Sequence, residues 1–144
     1  MDFKDCVKFA NENKICYMAT ADSKQPRVRG VMLWYADQSG FYFNTNDDKS
    51  FYKQLKSNQS VEICFHKKGE GPDLGTMMRI AGNVEFLDDV SLRAKALEDK
   101  PFLKQWGYTP QSPELIIFRI PKGEAHFWTM PTSRDPKVFT KFGK

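Results

Sequence analysis

Two arginines interrupt a segment that otherwise has the apolar character of a strand, "PRVRGVML" at residues 26–33. Neighbouring residues of a strand point to opposite faces, so Arg27, Arg29, Val31 and Leu33 share one face. A face that begins with two cations and continues apolar is either a sheet edge with solvated arginines or a site for an anion. A guanidinium can bind a phosphate through two parallel hydrogen bonds. The segment alone leaves both interpretations open.

A second segment, "NTNDDKS" at residues 44–50, contains groups that could complete an anion site. Asn44 and Thr45 end a predicted strand, and a predicted helix begins at Lys49 and Ser50. A helix N-terminus has unpaired backbone N–H groups and a positive dipole end, which together favour phosphate. The two hydroxyls and the lysine would add donors and charge. We expect an anion site if the fold brings this helix start to Arg29.

The same helix start has a purely structural interpretation. Asn46, Asp47 or Asp48 can cap the helix, and the two carboxylates complement its dipole. Lys49 and Lys53 would then lie on a solvated helix face. The residues by themselves do not decide between the two.

Hydrophobic periodicity predicts the elements that position these segments. Helical spacing is found at residues 2–13, 46–58 and 88–106, the last broken at Pro101. Strand-like runs are found at 15–20, 26–36, 41–45, 60–66, 76–87, 113–120 and 123–130, with a short extended segment at 137–142. Gly82, inside one of these runs, suggests a bulge or sharp bend. Six to seven mostly antiparallel strands favour a mainly β fold, a small β-barrel with peripheral helices.

The bulk properties restrict the class of protein. The chain has 144 residues, 40% of them hydrophobic, which suggests one globular domain over 1–144. The net charge of +4 suits a small anion and is too weak to indicate nucleic acid. Without a membrane-length apolar run or a secretory signal, we expect a cytoplasmic protein with no membrane partner. Three dispersed cysteines and two histidines favour neither a disulfide framework nor a metal site.

Several sequence motifs, taken in their order along the chain, resemble those of a known family. The runs "ICYMATADSKQPRVRGVMLWY", "SGFYFNTNDDKSFYKQLKSNQSVEICF" and "IAGNVEFLDD" are similar to the flavin mononucleotide (FMN)-binding split barrel of the pyridoxamine 5′-phosphate oxidase-like family. The similarity covers nearly the whole chain. The pyridoxamine 5′-phosphate oxidase-like family includes short relatives named for nitroimidazole resistance.

The resemblance implies an FMN cofactor and a set of residues that bind it. Arg29 would contact the phosphate, the following residues would lie along the cofactor, and the helix start would hold the phosphate. The positions carried over as cofactor-binding are Arg29, Gly30, Val31, Met32, Leu33, Trp34, Asn44, Thr45, Lys49 and Ser50. Arg27 would be peripheral, and no catalytic residue is assigned.

The resemblance also implies a homodimer with FMN at its interface. The second subunit would supply groups from its C-terminal half, with Trp106 and Trp128 as candidates. The function implied is an FMN-dependent oxidoreductase acting on a small-molecule substrate, and no nucleic acid.

Three departures argue against the vitamin B6 reaction itself. The helix start reads Lys49–Ser50–Phe51 where pyridoxamine phosphate oxidases have Ser-Arg-Lys, Trp34 stands in place of a lysine, and a late Arg-x-His motif is absent. One alternative is a non-catalytic flavin, deazaflavin or haem binding protein of the same fold, with His126 or His66 as an iron ligand. Another is a small barrel that stacks nucleic-acid bases on exposed aromatics.

Overall fold

The computed structural model describes residues 1–143, whose strands form two antiparallel sheets. The helices are α1 (Phe3–Glu12), α2 (Ser50–Ser57), α3 (Val90–Asp99) and α4 (Phe102–Gln105). The strands are β1 (Ile15–Asp22), β2 (Gln25–Met32), β3 (Tyr35–Asp37), β4 (Gly40–Asn46), β5 (Ser60–Lys67), β6 (Thr76–Asn83), β7 (Glu85–Phe86), β8 (Leu115–Ile120), β9 (Gly123–Trp128) and β10 (Thr140–Phe142).

The two sheets are joined by strands that pass from one to the other. The larger sheet has the order β10-β9-β6-β5-β1-β2, and the smaller one has the order β3-β4-β8-β7. β2 leads directly into β3, and β6 leads into β7, so each pair crosses between sheets. The predicted mainly β barrel with peripheral helices is confirmed.

The number of strands differs from the prediction mainly because two predicted strands are divided where the chain crosses between the sheets. The segments 26–36 and 76–87, each predicted as one strand, are each divided by a bend, and the short extended segment at 137–142 contributes β10, so the described chain has ten strands rather than six to seven. The buried Leu33 and Val84 lie at the two bends and point into the core. Periodicity does not reveal such a bend, because apolar residues continue through it.

The space between the sheets is filled by apolar side chains with strand periodicity. β1 and β5 both alternate between buried and accessible residues, and the largest fully buried side chains include Phe41, Phe43, Phe65 and Phe118. Cys6 and Cys16 belong to this core, whereas Cys64 is only half-buried. Burial of this apolar surface is the main favourable term holding the two sheets together.

The helices pack around the barrel as amphipathic elements. α2 buries Phe51 and Leu55, and α3 ends at Asp99 just before Pro101, where the predicted break occurs. None of the helices within residues 1–143 is long and apolar enough to cross a membrane.

Gly82, in β6, lies against Ile120 of β8 and against the segment between β8 and β9. It pairs with Gly123 across the β6–β9 ladder. A Cβ atom at Gly82 would lie 2.6 Å from Ile120 Cγ2 and 2.7 Å from the Lys122 carbonyl oxygen. The prediction of a bulge or sharp bend at Gly82 is wrong, because this residue pairs in continuous register with both neighbouring strands and the bend comes after Asn83. The glycine instead permits a close approach between chain segments.

We expect Gly82→Ala to destabilise the fold by about 1–3 kcal/mol, because the backbone oxygen of Lys122 cannot move away easily. Urea unfolding monitored by circular dichroism measures the loss. Gly30→Ala is the control, since its Cβ would meet only the Tyr17 ring, at an ordinary contact distance of 3.6 Å for the nearest atom. Equal stability of the two variants would contradict the close-approach explanation.

Candidate anion-binding cavity

The ends of β2 and β4 meet the α3–α4 corner around a cavity of about 990 Å³. A volume of this order accommodates a cofactor-sized ligand. Nine of the ten predicted site residues line it: Arg29, Gly30, Val31, Met32, Leu33, Trp34, Asn44, Thr45 and Lys49. Ser50 is exposed at the first position of α2 and is not among the lining residues. Binding of a cofactor by these residues stays a prediction.

Arg29 is held in a fixed orientation at one end of the cavity. Its Nη1 donates to the Met18 carbonyl oxygen at 3.2 Å and to Thr20 Oγ1 at 2.9 Å, and its Nη2 donates to Gln54 Oε1 at 2.5 Å. The guanidinium also lies 4.6 Å from the centre of the Phe51 ring. Partial burial lowers the pKa of Arg29. None of its partners is a carboxylate, so its charge is oriented but not neutralised.

Arg27 has a different environment. It lies outside the cavity lining and forms an ion pair with Asp22 at 3.5 Å, with both side chains about half exposed. The two arginines of the opening segment therefore divide: Arg27 is at a solvated sheet edge, and Arg29 faces the cavity.

The start of α2 lacks the predicted side-chain cap. Lys49 is the N-cap residue and its side chain makes no capping hydrogen bond, and the first turn contains no acidic residue. The prediction that Asn46, Asp47 or Asp48 caps this helix is wrong. Asp47 and Asp48 lie before the helix, where the Asp47 N–H donates to the Glu114 carbonyl oxygen at 3.2 Å. The first N–H groups of α2 thus keep their capacity to bind an anion.

Thr45 provides a further unsatisfied group in the cavity. Its side chain is only 3% exposed, and its Oγ1 has no hydrogen-bond partner within residues 1–143. A buried hydroxyl without a partner costs about 1–3 kcal/mol. A ligand with a polar atom at this position would remove that cost.

The other end of the cavity contains a group of residues that the sequence did not indicate. Lys100 Nζ donates to Asn44 Oδ1 at 2.5 Å, and Lys14 Nζ donates to the Trp34 carbonyl oxygen at 3.1 Å. Lys95 Nζ lies 4.2 Å from the centre of the Tyr35 ring. These lysines are far apart in sequence, and no spacing rule relates them. The break at Pro101, which turns the chain after α3, is the only sequence signal near them.

Charge is not balanced within the cavity. Arg29, Lys14, Lys49, Lys95 and Lys100 line it, and none belongs to the ion pairs found within residues 1–143. Among the described residues, the single carboxylate that lines the cavity is that of Asp99. Its Oδ2 accepts a hydrogen bond from Trp34 Nε1 at 2.8 Å. A cavity with this excess of positive charge favours an anionic ligand.

The surroundings shift the pKa of two groups at this end. Burial, with a smaller contribution from the nearby Lys14, lowers the pKa of Lys100. Burial also raises the pKa of Tyr35 to about 12. Tyr35 is therefore neutral at physiological pH and adds no charge to offset the lysines.

The remaining predicted candidates lie in different places. Trp106 lines the cavity of its own chain, whereas Trp128, at the end of β9, does not. His66 Nε2 contacts the Leu74 carbonyl oxygen, and His126 packs against the Phe139 ring. Neither His66 nor His126 is among the residues that line the cavity, so the cavity of the described chain presents no histidine that could bind a haem iron.

Comparison with known families decides the relationship of this chain. The family model described as pyridoxamine 5′-phosphate oxidase matches residues 3–128. The chain belongs to the pyridoxamine 5′-phosphate oxidase family. Its split-barrel fold and the resemblance read from its motifs are thereby confirmed.

Individual members of the pyridoxamine 5′-phosphate oxidase family match this chain over part of its length. The pyridoxine/pyridoxamine 5′-phosphate oxidase of Allorhizobium ampelinum is 34% identical over 85 residues, which cover 58% of this chain and 39% of that enzyme. The chain thus spans well under half the length of this curated relative.

Solved structures show the same fold along most of the chain. A NimC/NimA family protein from Clostridium acetobutylicum is 26% identical, with a TM-score of 0.79 over 96% of this chain and 92% of that protein. A FAD-binding protein from Mesorhizobium loti is 19% identical, with a TM-score of 0.66 over 88% of this chain and 94% of that protein.

We expect Asp99→Ala to destabilise the fold by about 1–2 kcal/mol, because it removes the partner of the buried Trp34 indole N–H. Urea unfolding measures this, with Glu98→Ala as the matched control. The same change in a Trp34→Phe background should cost much less, since no indole N–H is then left unpaired. An equal loss in both backgrounds would contradict this role of Asp99.

Proposed function

We propose that this chain binds FMN in the cavity and uses it as the redox cofactor of an oxidoreductase acting on a small molecule. The observation that carries the proposal is the excess of cavity cations without carboxylate partners, together with the orphaned hydroxyl of Thr45. A phosphate ester of a planar ring system satisfies both features. The membership of the pyridoxamine 5′-phosphate oxidase family supports the choice of a flavin.

The phosphate is assigned to the end of the cavity that contains Arg29. Three hydrogen bonds to Met18, Thr20 and Gln54 use three of the five guanidinium N–H donors, so two remain for a ligand. Lys49 and the uncapped start of α2 add a second cation and free backbone N–H groups. These groups together suit a phosphate dianion.

The ring of the flavin is assigned to the segment after Arg29. Val31, Leu33 and Trp34 line the cavity there and provide an apolar wall. When bound, the flavin supplies the electron or hydride transfer, while the protein binds, orients and shields it. This division of labour requires no acid–base residue from the chain for cofactor binding.

The names of relatives support the proposal without defining the substrate. The curated relative is named as a pyridoxine/pyridoxamine 5′-phosphate oxidase, and one solved structure of the same fold is named as a FAD-binding protein. FMN is preferred here because the phosphate end of the cavity offers a site for one terminal phosphate.

We expect the purified chain to bind FMN with one site per chain and to lose affinity on Arg29→Ala. The expected loss is about 1.5–3 kcal/mol, the scale of a charged hydrogen bond. Fluorescence titration with FMN measures it. Arg27→Ala is the matched control, because Arg27 lies on the same strand outside the cavity.

A chain that takes up no FMN would refute the proposal. A second measurement compares the rate at which small-molecule acceptors reoxidise reduced, protein-bound FMN with the rate for free reduced FMN. If FMN binds but these two rates are equal, the chain is a non-catalytic flavin-binding protein rather than an enzyme.

We also propose that the chain forms a homodimer that closes the cavity. Ile15 and Met32 pair across the β1–β2 ladder, and Tyr17 and Val28 lie on the same outer sheet face. All four side chains are more than half exposed. Met32 also lines the cavity, so this apolar face is continuous with its wall. Exposed apolar patches of this kind mark interaction sites, and a second copy placed here would cover the cofactor.

We expect Val28→Lys to convert the dimer into a monomer and to weaken FMN binding, because it places a charge in the proposed interface. Sedimentation equilibrium measures the mass, and Val138→Lys is a control at another exposed apolar position. A monomeric unmodified chain at micromolar concentration would refute the dimer.

A further inference from the structure

Two aromatic side chains stand exposed at the edge of the cavity. Phe102 is 44% and Trp106 is 66% exposed, and both line the cavity. Their ring centroids are 4.9 Å apart with an interplanar angle of 66°, an edge-to-face arrangement. Phe102 is the first residue of α4 and Trp106 is its C-cap residue, and this spacing of four positions places them on one face.

The exposure of this pair is not a result of loose packing. Leu103, between them in sequence, is buried in a cluster with Leu97 and Leu115. The Tyr108 N–H also donates to the Leu103 carbonyl oxygen at 3.1 Å. α4 is therefore anchored by one residue while it displays two aromatic rings. An anchored helix with exposed aromatics at a cavity is typical of ligand binding.

Two lysines lie at the same end of the cavity. Lys100 directly precedes the turn into α4, and Lys14 approaches from the segment between α1 and β1. Each has one neutral oxygen acceptor, Asn44 Oδ1 for Lys100 and the Trp34 carbonyl oxygen for Lys14. An ammonium has three N–H donors, so each retains two. Their mutual repulsion contributes to the lowered pKa of Lys100, and a bound anion would relieve it.

We propose that the Lys14–Lys100 pair and the Phe102–Trp106 pair form the substrate subsite, which takes a planar aromatic molecule with an acidic group. The lysines bind the acidic group, and the aromatic pair stacks on the ring. Calling the ligand the substrate rests on the proposed function, whereas the binding itself does not.

The cofactor phosphate does not occupy this subsite. The Arg29 guanidinium is held on Met18 of β1, whereas Lys14 directly precedes β1, so these two points lie about 13 Å apart at about 3.3 Å per residue of strand. One phosphate therefore cannot neutralise both ends of the cavity. The lysine end needs an anion of its own.

Isothermal titration of the flavin-free chain with benzoate tests the subsite. Cyclohexanecarboxylate, which has the charge without the aromatic ring, and benzyl alcohol, which has the ring without the charge, are the matched probes. We expect benzoate to bind at least threefold more tightly than cyclohexanecarboxylate and at least tenfold more tightly than benzyl alcohol.

Variants assign the effect to residues. Trp106→Leu should reduce benzoate affinity to that of cyclohexanecarboxylate, and Lys100→Met should reduce it at least tenfold. Lys104→Met is the control, because Lys104 is an exposed lysine of α4 outside the cavity lining and its loss should leave benzoate binding unchanged.

Three outcomes would overturn the subsite. Benzoate could bind no better than benzyl alcohol, its affinity could survive Trp106→Leu, or saturating FMN could displace it. Benzoate binding with these variant effects in a chain that does not bind FMN would support the subsite and refute the flavin proposal. FMN binding without benzoate binding would support the flavin proposal and refute the subsite.

Discussion

The bend at Leu33 and Trp34, where the chain leaves one sheet for the other, is the constraint on which the cavity depends. The Leu33 N–H donates to the Lys14 carbonyl oxygen at 2.8 Å, and the next N–H, of Trp34, donates to the Tyr42 carbonyl oxygen at 2.9 Å. Consecutive residues thus bond to different parts of the barrel. Both side chains are buried, so the bend is held by packing as well as by hydrogen bonds. The cavity opens beside it, with Arg29 and Lys49 before and after the bend in the chain and with Lys14, Lys95 and Lys100 also in its lining.

The barrel stabilises an arrangement of unpaired positive charge that is unfavourable by itself. Five cations face one cavity, and the only carboxylate that lines it within residues 1–143 is engaged by the Trp34 indole. Neutral acceptors hold Arg29, Lys14 and Lys100 in place without cancelling their charges. The apolar core between the sheets offsets this cost, since its burial does not depend on the cavity. An anion bound in the cavity would reduce the repulsion between these cations, and this reduction would add to its binding free energy.

Much of the fold and one end of the site could be predicted because their signals are local. Strand periodicity identified β1 and β5, and the break between α3 and α4 follows from the fixed geometry of Pro101. Arg29, Thr45 and Lys49 were recognised from short motifs, each close to the end of a strand or the start of a helix. The predicted cap of α2 failed because a capping residue must adjoin the first turn, and the turn that contains Asp47 and Asp48 places Lys49 there instead.

The sequence by itself determined the mainly β architecture and the family, because both depend on residue type and near neighbours along the chain. The family resemblance implied different roles for Arg29 and Arg27, and in the structure only Arg29 lines the cavity. Only the tertiary structure decided that residues 14, 95 and 100 join residue 44 around one cavity. Such contacts form when two sheets close on a shared core, and no periodicity encodes them. The same closure placed the exposed Trp106 on the same cavity as these lysines and left the hydroxyl of Thr45 without a hydrogen-bond partner among residues 1–143.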